Sequence, residues 1–230
     1  MRPVVQISLD LTDAHEALRV AVMALRAGVD WLEVGTPLLL HEGVKAIQVL
    51  RAVFAGVPIV ADLKTMDGGY QETRMMAEAG ATHVVVMGRA HDETLRRVVR
   101  AARECEVKVM GDNLACPDKV QAARRLEDFG CNYVIHHIGY DERNGIGERG
   151  GVPPNPLDEL HAVIEAVDVP VSAIGGLSVA DAVQACRMGA PVVGIGAPLA
   201  IDSEEFKRAG GDVETILREV CIQVHALVLP

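Results

Sequence analysis

The sequence predicts a (β/α)₈ TIM barrel, a single domain over residues 1–230, and three observations predict it. Eight short β-branched runs alternate with longer segments whose apolar residues recur three and four positions apart, the periods of strands and of amphipathic helices. Glycines 28, 56, 80, 130 and 189 fall where helical segments end and the next strand run is about to begin, the place for a left-handed cap. The units recur roughly every 25 residues, with no Gly/Ser-rich linker or composition shift to mark a second domain. At 230 residues the chain sits at the short end of the range for this fold, about 200 to over 400. An open doubly wound sheet would use fewer units and a G-x-G-x-x-G after its first strand, which this chain lacks.

In order, the strand runs are "VVQISLD", "WLEVGTP", "PIVADLK", "HVVVMGR", "KVMGDNL", "YVIHHIG", "PVSAIGG" and "PVVGIGA". Helical segments such as "DAHEALRVAVMALRAG" and "DKVQAARRLEDFG" lie between them, and a ninth element closes the chain after Pro198. Half of the residues are hydrophobic, yet every apolar stretch is much shorter than the roughly 18 residues of a membrane span. Arg2-Pro3 leads into an alternating segment rather than a signal-peptide core, so a soluble cytoplasmic protein is expected. A net charge of −10 and few aromatic residues argue against a nucleic-acid partner. Five cysteines without C-x-x-C spacing suit reduced thiols, most of them small core residues.

Active sites of this fold lie at the C-terminal ends of the strands, so polar residues there carry functional weight. They are Asp10, Glu33, Asp62 with Lys64, Asp112, and His136 with His137. Asp10 is equally readable as a helix cap, although Thr12 and Asp13 compete for that place. Capping explains Glu33 less well, because no helix is expected before Pro37. Asp62 and Lys64, two apart on a strand, share a face about 7 Å apart. Adjacent carboxylates with open positions suit Mg²⁺, a hard ion that keeps water and substrate oxygens among its ligands. His136 and His137 alternate, so only one faces the interior and the other packs against helices. Gly175 and Gly176 after the seventh run, with Gly194 and Gly196 in the eighth, stand where barrels often hold phosphate on backbone N–H groups. The segment "DERNGIGERGGVPPNP" between Tyr140 and Leu157 reads as a long loop, with a mobile lid as its functional meaning.

"SLDLTD", "LEVGTPL", "ADLKTMDGG", "GDN", "HIGYDE" and "IGGLS" together resemble the orotidine-monophosphate decarboxylase suprafamily, and within it the 3-hexulose-6-phosphate synthase branch, over nearly the whole chain. The resemblance implies a reversible, Mg²⁺-dependent aldol condensation of D-ribulose 5-phosphate with formaldehyde, giving D-arabino-3-hexulose 6-phosphate through a metal-stabilised enediolate. It implies Glu33 and Asp62 as metal ligands, Lys64 beside the reacting oxygens, and Asp67 reaching into the partner's site of a homodimer. It selects His137, four residues before Asp141, for proton transfer, with Asp67 as competitor. The phosphate falls to Gly175, Gly176 and Gly196. Two departures stand out: Ala197 occupies a position where many members carry arginine, and Arg143 one where synthases commonly carry glutamine.

Three other readings compete. A 3-keto-L-gulonate-6-phosphate decarboxylase would use a similar site, but such relatives usually carry an arginine where this chain has Tyr140. A catalytically silent sugar-phosphate-binding barrel would have little reason to keep so many converging charges. A Schiff-base aldolase would need Lys64 deprotonated, which flanking carboxylates oppose.

Overall fold

The computed structural model describes residues 2–196, 201–202, 207–208 and 213–229. Eight parallel strands close into a barrel: β1 (Val4–Leu9), β2 (Trp31–Val34), β3 (Ile59–Thr65), β4 (His83–Met87), β5 (Lys108–Asp112), β6 (Tyr133–His137), β7 (Val171–Ile174) and β8 (Val192–Gly196). Closure is made by β1, which pairs with β2 on one side and β8 on the other. The connecting helices are α1 (Ala14–Ala27), α2 (Thr36–Glu42), α3 (Lys45–Val53), α4 (Gly69–Ala79), α5 (Asp92–Glu104), α6 (Lys119–Asp128), α7 (Tyr140–Glu148), α8 (Leu160–Glu165) and α9 (Val179–Arg187). Two antiparallel strands of two residues each, β9 (Ile201–Asp202) and β10 (Lys207–Arg208), and α10 (Val213–His225) complete the described chain. Among the described residues no helix is long and apolar enough to cross a membrane.

The period of two along each strand divides the molecule into an outer and an inner core. Val5, Ile7, Leu9, Leu32, Val34, Ile59, Ala61, Val84 and Val86 face outward and bury against the helices. Val60, Val85, Met110 and Ile135, one from each of β3 to β6, form a small separate cluster inside the barrel. Beneath it the rings of Trp31, His83 and Tyr133 meet with centroids 4.5 to 5.6 Å apart, closing the N-terminal end. Burial and nearby Lys108 push the His83 imidazole down to about 4, so it sits there as a neutral aromatic group. With the bottom sealed and the middle of β3 to β6 apolar, the inward-facing carboxylates lie toward the C-terminal ends of the strands, while inward Gln6 and Ser172 sit deeper in the barrel.

Several local expectations need correction. Gly28, Gly80, Gly130 and Gly189 do cap helices with positive φ, but Gly56 does not. There α3 ends at Phe54, and the Arg51 guanidinium takes up the carbonyls of Phe54, Ala55 and Val57 as well as that of Gly80. An arginine fork thus does the work expected of a glycine. The helix after β2 begins at Thr36, with Pro37 inside its first turn, where a missing N–H costs nothing. The expected loop after Tyr140 is in part a helix, α7, whose two glycines at 145 and 147 interrupt its period. Cys116, Cys131, Cys186 and Cys221 are buried and Cys105 is half-buried; burial pushes three of these thiols, at 131, 186 and 221, up to about 12.

Candidate active site

The rim is built from consecutive inward positions. On β1, Gln6, Ser8 and then Asp10 lie on one side while Val5, Ile7 and Leu9 occupy the other. Asp13, not Asp10, caps α1 by accepting from Glu16 N at 2.7 Å, which frees Asp10 for the site. Its carboxylate lies over Gly35, where a Cβ would fall 2.0 Å from Oδ1, so only glycine at 35 leaves room for it. Glu33 accepts a hydrogen bond from Ser8 Oγ at 2.8 Å and another from Gln6 Nε2. Burial, together with the neighbouring Asp62 and Asp10 carboxylates, raises Glu33 to about 8 against the partial relief given by Lys64 and Ser8. Asp10 is raised for the same reasons, burial first and then Asp62.

Asp62 and Lys64 come closer than a regular strand allows. The pairing of β3 with β4 shifts register between Ala61 and Thr65, and Lys64 has φ of 51°, a left-handed conformation rare outside glycine. Such a residue stores roughly 1–3 kcal/mol of strain, which the surrounding contacts must offset. The bend brings the ammonium onto Asp62 Oδ2 instead of two strand positions away from it. Thr36 at the start of α2 bridges them: its hydroxyl accepts from Lys64 Nζ at 3.1 Å and lies 2.8 Å from Asp62 O and 3.1 Å from Oδ2. Burial alone would lower the lysine, but Asp62, Asp112 and Glu33 outweigh it and hold the amine protonated far above neutral pH.

Across the rim, His137 Nδ1 and Asp112 Oδ2 are 2.8 Å apart, and Asp112 Oδ1 accepts from Leu114 N at 2.7 Å. Burial would raise Asp112, yet His137, Lys64 and the Leu114 N–H together hold it below the usual carboxylate range. An ionised Asp112 fixes the imidazole with its proton on Nδ1 and leaves Nε2 as the basic nitrogen. The carboxylate serving His137 is therefore Asp112, whereas Asp141 is exposed on the first turn of α7. His136 is the residue turned away, fully buried behind the strand with Nε2 2.9 Å from Asp158 O.

The strand-end reading missed a brace behind these two strands. The buried Lys119 ammonium, at the start of α6, donates to Asn113 O and His137 O, both at 2.9 Å. Asn113 Oδ1 accepts from His137 N at 3.0 Å, so the exits of β5 and β6 are tied at three points. Thr36, Gly35, Gln6 and Ser8 were missed as well, although the alternation of Gln6, Ser8 and Asp10 along "VVQISLD" carried a usable signal.

Asp10, Glu33, Asp62, Lys64, Asp112 and His137 thus share one charged rim, while Asp67 stands apart from it, exposed just beyond β3. Gly175 and Gly176 leave β7 with φ of 131° and 74°, and Gly196 ends β8 beside Ser8. Ala197 lies outside the described residues. Four carboxylates face one ammonium, and Asp62 Oδ1 is buried with no hydrogen-bond partner, an oxygen suited to a hard cation. Among the described residues no three His, Cys, Asp or Glu side chains form a metal cage, so an ion here would rest on two carboxylates and keep open positions.

The family model for "Orotidine 5'-phosphate decarboxylase / HUMPS family" matches residues 3–221. The chain belongs to this family. Within the family, 3-hexulose-6-phosphate synthase of Mycobacterium gastri is 33% identical over 187 residues, covering 81% of this chain and 86% of that relative. The crystal structure of 3-hexulose-6-phosphate synthase from Salmonella typhimurium superposes with a TM-score of 0.84 at 27% identity, covering 97% of this chain and 98% of the other. Another family member, 3-keto-L-gulonate-6-phosphate decarboxylase from Vibrio cholerae, gives a TM-score of 0.78 at 26% identity, covering 97% and 98%. The protein is an enzyme of this family.

Proposed function

We propose that the protein catalyses the reversible, Mg²⁺-dependent aldol condensation of D-ribulose 5-phosphate with formaldehyde to D-arabino-3-hexulose 6-phosphate. The observation that carries this reading is the charged rim, in which a protonated lysine and an oriented histidine flank buried carboxylates, one with an unpartnered oxygen. The name shared by its 3-hexulose-6-phosphate synthase relatives supports it. Glu33 and Asp62 would hold the ion, which when bound supplies Lewis-acid stabilisation to an enolising ketone.

The residues of the chain account for the remaining work. The base abstracts the C1 proton of the ketose phosphate, leaving an enediolate whose C1 forms the new bond to the formaldehyde carbon; the formaldehyde oxygen then takes up a proton. His137 Nε2 is placed for proton transfer, with Asp112 stabilising the imidazolium that forms. Lys64 puts a fixed positive charge next to the developing oxyanion, at no cost of reorganisation because Asp62 and Thr36 already hold it. Asp10 and Asp112 complete the wall of the site. Glycines 175, 176 and 196 anchor the phosphate away from the reacting carbon, so binding energy orients the substrate.

Asp67 fits a homodimer in which it completes the neighbouring site. It is exposed beside exposed Met66, and α2, which packs against β3, presents exposed Leu40. The decarboxylase reading keeps support from the Vibrio cholerae structure, since loss of CO₂ would yield the same kind of enediolate. Tyr140, in place of an arginine, favours the synthase. The purified protein is expected to consume formaldehyde only with ribulose 5-phosphate, to lose that activity in EDTA and to regain it with Mg²⁺. Full turnover in EDTA would sink the metal assignment.

A further inference from the structure

Gly175 and Gly176 are both required by their surroundings, for different reasons. A Cβ on Gly175 would fall 2.6 Å from Ile138 O, so this glycine lets the β7 exit pack on the β6 exit. A Cβ on Gly176 would fall 2.1 Å from Arg143 Nη1 and 2.5 Å from its Cζ. The guanidinium of Arg143 therefore fills the space where a side chain at 176 would stand, directly against the glycine turn.

Arg143 reaches this place because the segment after β6 is helical. Its N–H donates to Gly139 O at 3.2 Å in the first turn of α7, which sends the side chain toward the neighbouring strand exit. Its Nε is buried without a hydrogen-bond partner, and among the described residues no carboxylate lies within ion-pair range of it. A half-desolvated guanidinium with no counter-charge is an anion receptor. Burial also lowers its affinity for the proton, the direction expected of a cation lacking an anion.

Register carries this cation into the phosphate region. β7 and β8 pair Ile174 with Gly194, so the glycine turn that leaves β7 at Gly175 and Gly176 lies beside the end of β8, which reaches Gly196. The residue that follows Gly196 in the sequence is Ala197, which carries no charge.

We infer that Arg143 is the cation that binds the phosphomonoester of the sugar substrate in this chain, reaching over from β6–α7 to the glycine turn of β7. This rests on the sugar-phosphate reading of the site. The planar fork donates to two phosphate oxygens, and the glycines at 175 and 176 are what allow it to lie against the turn. Phosphate affinity is then supplied by the sixth strand's helix rather than by a side chain following the eighth.

The test uses the full chain with Arg143→Gln and Arg143→Lys, and inorganic phosphate as probe. Calorimetric titration should show phosphate binding to the wild type, weakened about tenfold or more in R143Q and by less in R143K. In steady state, KM for ribulose 5-phosphate should rise by a similar factor in R143Q with kcat within about threefold, the mark of binding shared by ground and transition states. A merely structural arginine would lower the melting temperature without this split, and R143K guards against misfolding of R143Q. A wild type that binds no phosphate, or an R143Q protein that binds it as tightly as wild type, overturns the inference. Arg143-dependent phosphate binding in a protein with no aldol turnover would overturn the proposed reaction and leave the phosphate site standing.

Discussion

Asp62→Asn is expected to lower kcat/KM by at least about 10³-fold, roughly 4 kcal/mol of transition-state stabilisation, while the barrel remains folded. The substitution is nearly isosteric, so packing around β3 is kept. What is lost is the charge that holds Lys64 and that, with Glu33, is offered to the cation. Stability should move in the opposite direction to activity. In the metal-free protein Asp62 is one of two carboxylates that push buried Glu33 up to about 8. A native pKa raised above the ordinary 4.5 means that the Glu33 contribution is fully present below pH 4.5 and lost as the pH rises through about 8. Asp62→Asn removes that repulsion, so the variant should melt at or above the wild-type temperature at pH 8 without metal. Added Mg²⁺ should raise the melting temperature of the wild type and leave that of the variant unchanged. Near-wild-type turnover would remove Asp62 from the site.

Lys64→Met should be as damaging to turnover, by at least about 10³-fold, and should differ from Asp62→Asn in its effect on folding. The ammonium is the one positive charge that all of Asp62, Asp112 and Glu33 share. Removing it leaves buried carboxylates facing each other, a loss of roughly 1–3 kcal/mol that chemical denaturation would read directly. Opposite stability shifts from two adjacent residues in contact are a stringent expectation. If both variants were equally destabilised, the rim would be an ordinary ion pair rather than a crowded anionic site with one counter-ion.

Much of this arrangement was legible in the sequence because it follows from the period of two. Gln6, Ser8 and Asp10, or Met110 and Asp112, share a face whatever surrounds them, and repeated strand–helix units dictate which end they face. The left-handed Lys64 was not legible, because no local rule places a lysine there; the contacts of Asp62 and Thr36 in the folded barrel hold it. The Lys119 brace was hidden for a similar reason: a lysine at a helix start reads as a solvated charge until the exits of β5 and β6 are seen on either side of it. Helix α7 was obscured by its glycines, and with it the position of Arg143, which reads as one loop charge among several.

The proposed chemistry, an enediolate made at this rim in order to build a carbon–carbon bond, is tested most directly by measuring kcat/KM of the same purified, Mg²⁺-loaded protein on two substrates: ribulose 5-phosphate with formaldehyde, and 3-keto-L-gulonate 6-phosphate. Aldol condensation is expected to be at least about tenfold more efficient than release of CO₂, about 1.4 kcal/mol in favour of the synthase. Decarboxylation as the faster reaction, or turnover of neither substrate, would contradict it.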